Sequence, residues 1–354
     1  MNRESFEFLR ALEETPSPSG FEQPVQRLVR NRMKKWADSI ETDIHGNVIV
    51  GLNPKGSPRV MLAGHCDQIG MMVRFITDEG YLTFGAIGGI DAALLPGLHV
   101  TVHARGGPVE GVIGRKPVHL MRGKESEQPK IDINDLWIDI GAKDKADAEK
   151  RVSVADPVTF RLGMTKLSED IVASPGFDNK VGTFVVMEAL RLAAARKITC
   201  ALFAVSTVQE EIGLRGARTS CYGIDPLVGI AVDVTHAADY PSVEKKHLGD
   251  IRLGKGAVID RGPNINPVLG DLLVDTARRS KIPYQLAAAP GATGTDANAI
   301  QISRAGVAAG LISVPNRYMH TPVEVVSLSD LDACARLLAE TVARIDRKMD
   351  FVPR

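Results

Sequence analysis

Five apolar runs of strand length recur along this chain, at residues 48–52 (VIVGL), 59–64 (RVMLAG), 201–208 (ALFAVSTV), 227–234 (LVGIAVDV) and 307–314 (VAAGLISV). None alternates regularly between apolar and polar residues, so none has a face made for water. A strand of that kind must be covered on both sides. Helical segments at 180–196 and 329–349 can supply the cover. The expected fold class is α/β, a mixed sheet covered by helices.

The N-terminal region reads as two helices. The first spans 4–12 and is broken by the segment TPSPSG. Residues 19–22 (SGFE) then fit a capping box, with Ser19 and Glu22 serving the free N–H groups of the next helix. That helix carries Val25, Leu28, Val29, Met33 and Trp36 at helical spacing. Residues 71–165 differ from the rest. They are rich in glycine and short β-like runs, with weak helical periodicity only near 142–151. The expected organisation is a catalytic domain made of 1–70 and 166–354, with a small β-rich domain, 71–165, inserted into it.

Composition narrows the function classes. Lys+Arg and Asp+Glu both number 43, and aromatic residues are 5%, so neither a basic face nor stacking platforms for nucleic acid are expected. The four cysteines, Cys66, Cys200, Cys221 and Cys334, form no C-x-x-C pair, which fits a reducing compartment. The N-terminal residues carry scattered charges rather than a signal-peptide core. No stretch approaches the roughly 20 apolar residues that span a bilayer. A cytoplasmic protein without membrane partners is expected.

Four of the apolar runs lead into metal-capable residues. Residues 59–64 run into His65-Cys66-Asp67, and 201–208 into Gln209-Glu210-Glu211. The run 227–234 carries Asp233, and 307–314 is followed by His320. Ligands of open α/β sheets gather beyond the carboxyl ends of the strands, so one sheet could bring all four groups to one edge. Asp178 lies just before a helix, where a carboxylate is either a cap or a further ligand. An Asp at the end of an apolar strand is costly to bury unless paired or metal-bound. Together, three carboxylates and two imidazoles suit a pair of zinc-like ions. Cys66 falls on the opposite face from His65 and Asp67 in an extended segment. Asp67 is then placed to hold the His65 ring. Of Glu210 and Glu211, one can bind metal and the other can shuttle a proton. Physical reading alone does not divide those roles.

At these residues the chain resembles the M42 family of metallo-aminopeptidases, within the clan of co-catalytic zinc exopeptidases. The matching segments are 63–70 (AGHCDQIG), 175–182 (PGFDNKVG), 208–217 (VQEEIGLRGA), 231–237 (AVDVTHA), 262–267 (GPNINP), 291–300 (GATGTDANAI) and 313–324 (SVPNRYMHTPVE). The resemblance implies that His65 and Asp233 bind one divalent ion, that Glu211 and His320 bind a second, and that Asp178 bridges them. It implies Glu210 as general acid/base and Asp67 as the support of His65. It further implies zinc or cobalt, with manganese as another option, and peptide substrates cut at their N-terminus. The insert would be the family's dimerisation domain, in dimers that build a hollow dodecamer.

Three positions depart from the family pattern. Gln68 stands where Glu is usual, Phe177 where Asp or Leu is common, and Gly64 immediately precedes the histidine. None removes a ligand. Rival readings are a carboxypeptidase or amide deacylase of the same clan, and a glycoside hydrolase. A glycosidase needs two carboxyl groups across a sugar but neither histidines nor a bridging Asp. A further rival, a non-enzymatic assembly protein, predicts a missing ligand, and every expected ligand is present. Thr295 or Asp296 in GTDANAI would cap a helix or meet substrate.

Overall fold

In the computed structural model, which describes residues 1–120 and 131–354, the apolar runs become the centre of an eight-stranded sheet. Its four middle strands are Ala201–Thr207, Arg59–His65, Val228–His236 and Ala308–Asn316, in that order and all parallel. Ser39–Thr42 and Val48–Leu52 extend one side, and Ala257–Arg261 and Tyr284–Ala288 the other. Antiparallel pairs at Val48–Leu52 with Ala201–Thr207, and at Ala257–Arg261 with Ala308–Asn316, make the sheet mixed.

Both faces are covered, as the uninterrupted runs require. Within Arg59–His65, Val60 and Leu62 join a core with Phe184, Val185 and Leu337 of the helices Phe177–Ala194 and Leu328–Arg344. Met61 and Ala63, on the other face, join Cys221 and Ile300 of the helices Arg215–Ile224 and Asp296–Gln301. The strand between two helical layers is the α/β arrangement expected.

Gly64 has a specific task in that packing. A Cβ there would lie 2.4 Å from the backbone carbon of Gly182, inside van der Waals contact. Two glycines therefore let the helix that follows Asp178 press onto the strand that ends in His65. The Thr183 hydroxyl seals the contact by donating to the Gly64 carbonyl at 3.0 Å.

Between Gly70 and Phe160 the described residues form a closed barrel. Its strands run Gly70–Ile76, Leu82–Ile87, Trp137–Asp139, Gly107–Gly114, His99–Ala104 and Pro157–Phe160 around the ring. Met71, Val73, Val100, Val102, Ile138 and Val158 fill its interior, while Met72 and Phe75 face outward. Strand periodicity of two places Met72 outside, and a β-bulge between Val73 and Phe75 shifts the alternation so that Phe75 faces out and Ile76 in. A three-stranded sheet of Thr165–Lys166, Ile171–Ser174 and Glu324–Ser327 lies beside the large one. Among the described residues no helix is long and apolar enough to cross a membrane.

The capping box at 19–22 does not form. The helix Gln23–Met33 has no side-chain cap, and Pro24 stands in its first turn. The Ser19 hydroxyl instead donates to Asp67 at 2.7 Å. The helix starts only at Gln23, with Glu22 at its N-cap, so Ser19 lies outside capping reach, and its hydroxyl is left to donate to the fully buried Asp67 carboxylate, a strong acceptor.

Candidate metal centre

Parallel direction sends the ends of the four central strands to one edge. His65 closes the strand Arg59–His65, and Thr207 opposite it closes Ala201–Thr207 just before Glu210 and Glu211. Asp233 sits near the end of Val228–His236, in register with Ser313. The strand Ala308–Asn316 leads to His320. Asp178 arrives from the helix pressed against Gly64. Its backbone and that of Asn179 are not helical, and the Asn179 side chain caps the regular helix by accepting from Gly182 N at 2.9 Å. With the cap supplied by its neighbour, the Asp178 carboxylate is free to face the sheet edge.

The resulting distances describe two overlapping groups. Asp178 Oδ1 lies 3.4 Å from His65 Nε2, and its Oδ2 lies 3.2 Å from His320 Nε2. Asp233 Oδ1 is 3.8 Å from His65 Nε2, and Glu211 Oε2 is 3.5 Å from His320 Nε2. His65, Asp178 and Asp233 can thus meet one ion, and Asp178, Glu211 and His320 another. Glu210 Oε2 stands 3.7 Å from His65 Nε2, outside both groups.

The donor set fits divalent cations. Glu211 Oε1 is buried without a hydrogen-bond partner. Burial pushes the Glu210 carboxyl up to about 10, with Asp233, Asp296 and Glu211 adding to the rise against the pull of His65. Burial, then the Asp178 carboxylate, pushes Glu211 well up. For Asp178, burial also acts upward, but His320 and His65 outweigh it and hold the group below the usual carboxylate range. These carboxylates are packed with less positive charge than they need, which bound cations would supply.

Two further buried carboxylates hold the ligand-bearing segments, and both work through backbone N–H groups. Asp67 Oδ1 accepts from Glu210 N at 3.0 Å, and Oδ2 from Glu211 N at 3.2 Å. The His65 Nδ1 lies 3.0 Å from the Asp67 carbonyl and 3.4 Å from its carboxylate. A proton on Nδ1 shared with that carbonyl leaves Nε2 open toward Asp178 and Asp233. Glu324 is the counterpart. Its Oε2 accepts from Asp178 N at 2.7 Å and its Oε1 from His320 N at 3.0 Å. Glu324 ends the segment 313–324, where nothing in the sequence marks this role. Of Thr295 and Asp296, the two candidate caps in GTDANAI, the structure uses one. Thr295 makes the cap, and Asp296 is buried and accepts from Thr207 Oγ1 at 2.6 Å. Cys66 is buried in the core, where burial pushes its thiol well up.

A cavity of about 520 Å³ opens onto this edge, lined by both groups, Glu210, the strand end at Thr235 and the loops around Leu214, Thr293 and Met319. A profile described as M42 glutamyl aminopeptidase matches residues 46–337. The chain belongs to the M42 aminopeptidase family. As an M42 enzyme it is a hydrolase, a metal-dependent aminopeptidase, and the rival activities are not favoured. The lysyl aminopeptidase of Pyrococcus furiosus is 38% identical over 351 residues, 98% of this chain and 99% of that protein. An aminopeptidase from the archaeon Desulfurococcus kamchatkensis superposes with a TM-score of 0.89 at 38% identity, covering 96% of this chain and 95% of that one. A TET1 peptidase of Pyrococcus horikoshii, which can assemble into a tetrahedron or a large octahedral shell, superposes with a TM-score of 0.85 at 32% identity, covering 96% and 100%.

Proposed function

We propose that the chain removes N-terminal residues from peptides with two divalent ions, one held by His65 and Asp233, the other by Glu211 and His320, and both by Asp178. The observation that carries this reading is the split of Asp178, whose two oxygens face two different histidines at 3.4 and 3.2 Å. When bound, such a pair of ions lowers the pKa of a shared water and polarises the scissile carbonyl.

Glu210 is the general acid/base. It lines the cavity yet belongs to neither ligand group, so its carboxylate is free to take a proton from the attacking water and return it to the departing amine. Asp67 aims it, because the Glu210 backbone hangs from the Asp67 carboxylate. Glu324 holds Asp178 and His320 at a fixed separation through their own N–H groups. The buried position of Gln68 removes a charge that Glu would add behind the site.

The catalytic body is assigned to 1–70 and 166–354, and the insert 71–165 to contact between copies. The outward Met72 and Phe75 of the barrel, 38% and 52% exposed, support the second assignment. We take the oligomer to be built from dimers closing into a dodecamer; one TET relative forms a dodecamer, which supports the closed assembly. Four buried free cysteines favour a reducing, cytoplasmic setting.

The test is hydrolysis of aminoacyl-anilides by chelated enzyme restored with zinc, cobalt or manganese. Activity should vanish with the metals and return with at least one of them. Undiminished turnover after the metals are stripped would refute the reading.

A further inference from the structure

The family description and the lysyl relative name opposite charges for the substrate's first residue. The cavity of this chain offers neither an obvious partner. Its ligand set and Glu210 occupy one wall. Beyond them, the described lining consists of Leu214, Val234 and Met319, three threonines, three glycines and His236. No Lys, Arg, Asp or Glu is among these. The carboxylates that do face the cavity belong to the metal groups and Glu210, so they are engaged by the reaction itself.

Two of the threonines add little new polarity. Thr295 Oγ1 accepts from Ala297 N at 3.2 Å, and Thr293 Oγ1 donates to Asn264 Oδ1 at 2.7 Å. Their hydroxyls are already bonded within the protein. His236 is exposed at the rim. A substrate must present its amine and scissile carbonyl to the metal edge. Its first side chain then has the half-buried Leu214 and Met319 as apolar neighbours, with Val234 buried in the core behind them. A charged side chain there would lose water and gain no counter-ion, a cost that an uncharged one avoids. Met319 adds tolerance of shape, since an unbranched thioether repacks readily.

We infer that this enzyme prefers uncharged, medium-sized apolar N-terminal residues, leucine and methionine foremost, over both lysine and glutamate. The inference rests on the aminopeptidase reading. Two arms keep the two apart. In the first, kcat/KM is measured for leucyl, methionyl, lysyl and glutamyl anilides with metal-loaded enzyme. Leucine and methionine should lead lysine and glutamate by roughly 10-fold or more. A lysyl or glutamyl substrate in first place overturns the inference while leaving the aminopeptidase reading intact. In the second, calorimetry measures binding of Leu-, Lys- and Glu-initiated tripeptides to metal-loaded Glu210→Gln, a readout independent of turnover. The same order is expected there, and an inverted order overturns the inference even if no anilide is cleaved. Met319→Glu should raise lysyl relative to leucyl kcat/KM by roughly 10-fold. An unchanged ratio would remove Met319 from the pocket for the first side chain.

Discussion

Asp67 accepts the backbone N–H of Glu210 at 3.0 Å across 143 residues of chain, and the same carboxylate takes the N–H of Glu211 and the hydroxyl of Ser19. Asp67→Asn keeps the shape but turns one acceptor into a donor that faces other donors. Activity or metal affinity should fall by roughly 10–100-fold. Steady-state kinetics with metal analysis checks this, and wild-type values in both would show that Asp67 only fills space.

Glu324 predicts a loss confined to one half of the metal pair. In Glu324→Gln, either Asp178 N or His320 N must face an amide NH₂. His320 is the weaker anchor, since it lies on a loop, half-buried, with φ at 60°. The ion held by Glu211 and His320 should bind roughly 10–100-fold more weakly, while that held by His65 and Asp233 stays. After dialysis at limiting metal, elemental analysis should read one ion per chain where the wild type reads two. Equal loss of both ions would show that Glu324 supports the whole edge rather than one site.

Gly64→Ala tests the packing that delivers Asp178. The added carbon meets backbone, which cannot swing aside as a side-chain tip can. Overpacking of this kind costs roughly 1–3 kcal/mol and should lower the Tm by several degrees. Because the displaced helix follows Asp178 directly, metal content should fall with stability. A variant as stable as the wild type would mean that the helix moves freely against the strand.

What could be read ahead of the structure follows from how local each cause is. Uninterrupted apolar strands require two covered faces and tend to run parallel, so the placing of His65 and Asp233 at one edge needed only the runs that contain them. Ser19 shows the opposite case. Its capping pattern is complete within four residues, but the partner that wins it, Asp67, is 48 residues away. Asn179 takes the cap that an Asp at 178 could equally make, and nothing in the segment PGFDNKVG distinguishes the two. Glu324 was hidden because its function lies in two backbone N–H groups, one 146 residues distant. Main-chain donors carry no signature in a sequence.

Asp330 gives a pH dependence away from the metal edge. It is buried at the start of the helix Leu328–Arg344 and accepts from Gly254 N and Gly256 N, each at 2.7 Å. Burial pushes its carboxyl from the ordinary 3.8 up to about 6, although the two N–H groups pull it down. The folded chain therefore binds this proton more tightly than the unfolded chain. Its stabilising effect is present below about pH 4 and is lost as pH rises through about 6. The stability of wild type minus Asp330→Asn should fall between those limits by up to about 3 kcal/mol. Denaturant unfolding at a series of pH values measures it, and a difference that grows with pH would reverse the assignment.

The sharpest separation of roles comes from the adjacent glutamates. Glu211 belongs to a ligand group and Glu210 does not, although both hang from Asp67. Glu210→Gln keeps the backbone N–H and the side-chain shape but cannot accept and return a proton. It should retain two ions per chain and lose turnover by roughly 10²–10⁴-fold. Glu211→Gln removes an anionic ligand and should instead lose the ion shared with His320. Measuring metal content and kcat on both variants decides the matter. If Glu210→Gln loses metal and Glu211→Gln keeps it, the two residues exchange roles.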